Sequence, residues 1–279
     1  MTKAGVPHVP GESHLTEPVH LVGRVMDASN AVFLGRCGSL PVAYKPIAGE
    51  RPLWDFPDGC LAHRERAAYL IDAAAGFGIV PPTVLLDGPA GPGAVQWWVT
   101  DVPVGPEDEP DEGPDDVDEE GELFLLLPPE EVGPPWLPVF TGELPDGRPV
   151  TLAHADTPEL RSVAVLDAVL NNSDRKGSHL LRGVDGSLWG IDHGVSLHED
   201  DKLRTVLWGW AGEPLAEADL ARIETLDAAL RDGPLLDQCR ELLTEAEVSA
   251  LSARVDRLLR TRVHPLPQPG WPSVPWPAL

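Results

Sequence analysis

The stretch 168-AVLNNSDRKGSHLL-181 begins as an apolar helical run and ends as something else. The apolar spacing stops at Asn171-Asn172-Ser173; Asp174, Arg175 and Lys176 then arrive together, and His179 precedes two leucines. A little further on, 189-WGIDHG-194 sets Asp192 behind a short apolar run and before a glycine. The two segments read as a pair of short strands with two carboxylates, a lysine and a histidine around them. The helix leading in covers residues 158–172, with Thr157 as its N-cap and Pro158 at its first position, where a missing N–H costs nothing.

Toward the N-terminus, 20-HLVGRVMDASNAVFLGRCGSLPVAYKPIAGE-50 reads as an antiparallel meander of three short strands. Its turns are expected at Asp27–Asn30 and Gly35–Ser39, and Lys45 ends the third strand just before Pro46. Residues 61–78 are helical: Leu61, Ala68, Leu70, Ile71 and Ala75 favour one side, and Gly76 and Gly78 end the helix. Two more strands follow within 79–88 and 94–102. Residues 106–122 are almost entirely Asp, Glu, Gly and Pro, which cannot bury apolar surface and predict a disordered acidic insertion. The run 123-LFLLLPPEEVGPPWLPVF-140 mixes apolar residues with prolines and yields no assignment. Helices are expected over 215–233 and 244–263, the latter opened by a capping box of Thr244 and Glu247. The proline-rich tail after Pro265 is expected to be loosely ordered.

The class is therefore α+β, with a flexible N-terminus (1–19), a β-rich N-lobe (20–105), the acidic insertion (106–122), a mostly helical C-lobe (123–264) and the tail (265–279). A cleft is expected between the lobes. The formal net charge of −24 argues against nucleic acid as a partner and against stable membrane association. The three cysteines are far apart with no CxxC pairing, so a disulfide framework or zinc site is not expected and a cytoplasmic setting is the default. Nothing resembles a Walker P-loop, a Rossmann fingerprint or an assignable Ser-His-Asp set.

Lysine is scarce, which draws attention to Lys45 and Lys176. A phosphoryl-transfer site needs a cation on the nucleotide phosphates, a carboxylate to orient it, acidic ligands for a metal and a group to position the nucleophile. Lys45 would reach the phosphates and Glu65, one turn into the following helix, would hold Lys45. Hard oxygen ligands suit magnesium, and few are needed because phosphates and water complete its shell.

The order of these elements resembles the protein-kinase-like superfamily, and within it the phosphatidylinositol 3-/4-kinase-like branch. Asp174-Arg175-Lys176 with His179 is similar to that branch's Asp-Arg-His-x-x-Asn catalytic loop, and Ile191-Asp192-His193-Gly194 to its Ile-Asp-Phe-Gly metal motif. Glu65-Arg66-Ala67-Ala68-Tyr69 followed by Val80-Pro81-Pro82-Thr83 is similar to the Glu helix and next strand of bacterial and type II lipid-kinase relatives. With 205-TVLWGWAGEP-214, the combination looks like an uncharacterised actinobacterial group, over roughly residues 20 to 260. The resemblance implies a bilobal kinase-like fold binding ATP with Mg or Mn. Asp174 would orient the acceptor and take its proton, Lys176 would touch the transferring phosphoryl group, and Asp192 would bind the metal. The turn with Ser29 and Asn30 would cover the phosphates, and Gln96, Trp97 and Trp98 would form the hinge beside adenine.

Two departures follow from the same comparison. His179 replaces the second metal-binding Asn, and imidazole suits manganese better than magnesium. His193 stands where Phe is usual. The leading expectation is an ATP-dependent phosphotransferase acting on a protein or small-molecule hydroxyl. A nucleotide-binding pseudokinase and a nucleotidyl transferase on the same fold remain alternatives.

Overall fold

Five antiparallel strands, β1 (Val19–Arg24), β2 (Phe33–Cys37), β3 (Leu40–Pro46), β4 (Thr83–Gly88) and β5 (Gly91–Trp97), form one sheet in the order β1-β2-β3-β5-β4 in this computed structural model, which describes residues 10–25, 30–56, 60–99 and 122–279. The period-two alternation of β3 sends Val42 and Tyr44 into a small core with Leu15, Val19, Cys37 and Val95, and turns Lys45 to the other face. Lys45 pairs with Ala94 of β5. A Cβ on the neighbouring Gly93 would lie 2.5 Å from the Lys45 carbonyl oxygen, so only glycine allows the strands to approach there. The expected Gly35–Ser39 turn is shorter than anticipated. Gly35 lies inside β2 opposite Leu21 and Val42, and the reversal rests on Gly38 (φ 59°) and Ser39.

Helix α1 (Leu61–Ala75) ends at Gly76, whose φ of 76° is the left-handed cap that glycine supplies. It packs on β4 and β5 on one side and on the helical half on the other. The acidic tract 106–122, apart from Glu122, lies outside the described residues, as do Asp27–Ser29 of the first turn.

The unassigned stretch 123–140 proves to be sheet. Strands β6 (Phe124–Leu127), β7 (Trp136–Glu143) and β8 (Pro149–Ala155) pair in the order β6-β8-β7. Its prolines fall where a missing N–H is tolerated: Pro128, Pro129, Pro134 and Pro135 in the connection, and Pro138 on an edge strand at an irregularity in register. Helix α2 (Pro158–Leu170) starts as expected, with Thr157 Oγ1 accepting from Leu160 N at 3.3 Å, and is the centre of the main core. Strands β9 (Leu180–Arg182) and β10 (Leu188–Gly190) form the anticipated hairpin.

Helices α3 (Glu217–Arg231), α4 (Pro234–Leu242) and α5 (Glu245–Thr261) complete the fold. The Thr244–Glu247 capping box is present, whereas α4 is an addition that short sequence windows missed. The tail is not loosely ordered: Val274 and Ala278 pack into the main core. Among the described residues, no helix is long and apolar enough to cross a membrane.

Candidate active site

Lys45, delivered by β3, meets carboxylates from two directions. Its Nζ donates to Glu65 Oε1 of α1 at 2.6 Å and to Asp192 Oδ1. Glu65 Oε2 also accepts from His193 N at 3.2 Å, so one carboxylate ties β3, α1 and the segment after β10 together. Burial opposes the charge on Lys45, but Asp192 and Glu65 outweigh it and hold the ammonium above the usual lysine range. Lys45 likewise holds Asp192 well below the usual carboxylate range, against the effect of burial. Asp192 adopts φ 57°, a left-handed conformation that costs about 1–3 kcal/mol when a side chain is held there and that tends to mark working sites.

These groups line a cavity of ≈ 530 Å³ together with Asp174, Lys176, His179 and, across the mouth, Asn30, Glu50 and Arg51. Asp174 pairs with Lys176 at 3.2 Å. Burial raises the pKa of Asp174, with Lys176 pulling the other way. The cavity thus interleaves lysines and carboxylates, an arrangement able to hold a polyphosphate with a divalent ion.

Beneath the cavity lies a hub that the sequence did not reveal. Arg175 and Asp167 are both fully buried; Arg175 Nε and Nη2 each donate to Asp167 Oδ1, at 3.1 and 3.0 Å. The same guanidinium donates to Ile191 O (3.0 Å), His179 O (3.3 Å) and His193 Nε2 (2.7 Å). One side chain therefore locks the loop of Asp174 to the segment carrying Asp192. This also explains His193 at the expected Phe position. Buried and beside Arg175, it is pushed far below the ordinary histidine range and stays neutral, accepting a hydrogen bond rather than meeting a metal.

His179 Nε2 lies 3.6 Å from Asp192 Oδ2, and burial lowers its pKa to about 4, leaving a neutral imidazole with its Nδ1 unpartnered. Among the described residues, no group of three or more His, Cys, Asp or Glu could hold a metal alone. Asp192 and His179 fit a hard or borderline cation whose remaining ligands are phosphate oxygens and water.

The structure thus brings Lys45, Glu65, Asp174, Lys176, His179, Asp192 and Asn30 together. Ser29 lies outside the described residues. The expected hinge does not line this cavity. Trp97 N donates to Pro82 O (2.9 Å), Trp98 N to Pro41 O (3.0 Å) and Gln96 Nε2 to Thr83 Oγ1 (2.9 Å), so these donors are already engaged within the sheet. Trp97 packs edge-on against Trp189, 5.3 Å between centroids.

Other contributors were missed. Glu50 caps α1 from outside the helix, accepting from Leu61 N (2.9 Å) and Ala62 N (2.8 Å). Arg204 adds positive charge beside Asp174. His154 and His198 are buried as well: His154 accepts from Gly209 N (3.1 Å), and His198 accepts from Lys202 Nζ (3.1 Å). Glu50 and His154 leave no local signal, because their partners lie eleven and fifty-five residues away.

No family model matches the chain. Its fold is similar to that of the Golgi casein kinase with Mn and ADP bound, at a TM-score of 0.50 and 14% identity, covering 95% of this chain and 78% of that one. The Helicobacter pylori proinflammatory kinase CtkA aligns at a TM-score of 0.44 and 11% identity, over 89% of this chain and 93% of that one. The architecture is a bilobal α+β fold of the kinase-like kind. The chain belongs to the family of Protein Rv2133c of Mycobacterium tuberculosis, to which it is 45% identical over 262 residues, 92% of this chain and 91% of that protein.

Proposed function

We propose that this protein is an ATP- and divalent-metal-dependent phosphotransferase acting on a protein or small-molecule hydroxyl, nearest in its motifs to the phosphatidylinositol 3-/4-kinase-like branch. The observation that carries the reading is Lys45 bridging Glu65 and Asp192 in one cavity with Asp174 and His179. Without nucleotide the lysine neutralises both carboxylates. With nucleotide, Lys45 would turn to the phosphates and Asp192, with His179, to the metal. Magnesium or manganese would supply charge neutralisation between the phosphates. Asp174 orients the acceptor hydroxyl and takes its proton, and its raised pKa brings it nearer the range useful to a general base. Lys176, 3.2 Å from Asp174, offsets charge on the transferring group. The Mn/ADP complex of the Golgi casein kinase is in keeping with this ligand set.

The test is calorimetric titration of ATP, with magnesium and separately with manganese, into wild type and Asp192→Ala. Binding that requires metal and disappears in the variant is expected. No binding with either metal in folded protein would overturn the proposal.

A further inference from the structure

The end of the chain, 271-WPSVPWPAL-279, has prolines at 272, 275 and 277. Proline lacks an N–H and stiffens the chain, so such a segment offers carbonyls to others and loses little conformational freedom on docking. This one does so at two places. Ser273 O accepts from Thr205 N (3.0 Å) and Trp208 Nε1 (2.7 Å). Ala278 O accepts from Gly177 N (2.8 Å). Trp271 Nε1 donates to Lys202 O at 3.1 Å, and Ala278 is buried.

The points of contact matter. Gly177 directly follows Lys176 in the loop of Asp174. Upstream in the same loop, Arg175 N donates to Arg204 O (3.0 Å) and Arg175 O accepts from Val206 N (3.2 Å). The tail therefore grips both the loop and the neighbouring 202–208 segment that holds it, while none of its residues lines the cavity of Lys45. Gly177 is also where the fit is tightest: a Cβ there would lie 2.5 Å from Leu279 Cδ2 and 3.2 Å from Phe124 Cδ2.

We infer that residues 271–279 form a strap that positions the catalytic loop for transfer without contributing to nucleotide binding. The inference rests on the phosphotransfer reading for its catalytic half, and on the hydrogen bonds alone for its structural half.

The experiment compares the full chain with a variant ending at Pro272, following amide hydrogen exchange, metal–ATP affinity and ATP turnover to an acceptor or to water. Exchange protection at Gly177 and Thr205 should be lost. Affinity should stay within about twofold, as expected for separate sites. Turnover should fall about 10²-fold, the scale of a 1 Å misplacement of catalytic groups, and recover when a synthetic 271–279 peptide is added.

Should the truncation fold poorly, Trp208→Phe in the full-length chain removes the indole donor to Ser273 O and should loosen exchange at Thr205 and lower turnover while leaving ATP affinity in place. Turnover that is unchanged, or that falls only in step with ATP affinity, overturns the strap, as does unchanged exchange at Gly177. A full chain that binds no metal–ATP overturns the phosphotransfer reading instead, and the exchange measurement still decides whether the tail holds the loop.

Discussion

Asp167→Asn should be among the most damaging single changes in this protein, although Asp167 touches no ligand. Its carboxylate accepts from Arg175 Nε and Nη2, from Asn172 Nδ2 at 3.0 Å and from Thr205 Oγ1 at 3.4 Å. The amide keeps the volume but removes the charge and turns an NH2 toward groups that are themselves donors. Arg175, with none of its side chain exposed, would keep the neutral amide oxygen, Ile191 O, His179 O and His193 Nε2 as acceptors but lose the negative charge that balances it. Breaking a buried pair from one side costs about 3–5 kcal/mol, against a total stability of about 5–15 kcal/mol for a typical protein. With a urea slope of about 3 kcal/mol/M, the unfolding midpoint should drop by roughly 1 to 1.7 M. The assay is urea unfolding followed by circular dichroism and tryptophan fluorescence. The double replacement Asp167→Leu with Arg175→Met should recover much of the loss, because it leaves no charge buried alone. A midpoint shift worth less than about 1 kcal/mol for Asp167→Asn would refute the hub.

Three further outcomes can be checked. Manganese should support ATP binding better than magnesium, and His179→Asn should narrow the gap in calorimetry; an unchanged preference would remove His179 from the metal site. Asp174→Asn should abolish transfer, read by intact mass of the acceptor, while leaving ATP affinity nearly intact; lost affinity would break its assigned role. His264 is buried, which lowers its pKa from 6.5 to about 4, with Arg161 adding to the shift. Between those values the unfolded chain binds a proton that the native one does not. Its contribution is therefore complete above pH 6.5 and lost as pH falls through 4, amounting to about 3 kcal/mol. His264→Phe should flatten the fall in stability across that window, and a parallel pH profile would refute the assignment.

The elements legible in the sequence were those whose signals are local. Gly76 ends α1 because its φ is positive, and Thr244 and Glu247 box the start of α5 within four residues. Lys45, Glu65, Asp174 and Asp192 were singled out because their motifs resemble those of kinase-like proteins, and the fold gathers them around one cavity. The β6-β8-β7 sheet was hidden because prolines interrupt its apolar runs, and α4 because Gly233-Pro234 reads as a break although Pro234 is the first residue of the helix. The hinge reading of Gln96, Trp97 and Trp98 came from the resemblance, and nothing in the sequence showed that the Trp97 and Trp98 amides pair with Pro82 O and Pro41 O. The roles of Arg175, Glu50 and the tail exist only once distant segments meet.

Arg64, next to Glu65 on α1, is buried; it donates to Ser196 O at 2.7 Å and pairs with Glu247 of α5. On the proposed function, an outward swing of α1 would separate Lys45 from Glu65, as helix movements do when protein kinases are switched off. Here that swing would first have to rupture a buried ion pair, at a cost of about 3–5 kcal/mol. An outward movement of α1 is thus coupled to the Arg64–Glu247 pair of the helical half as well as to the Lys45–Glu65 pair.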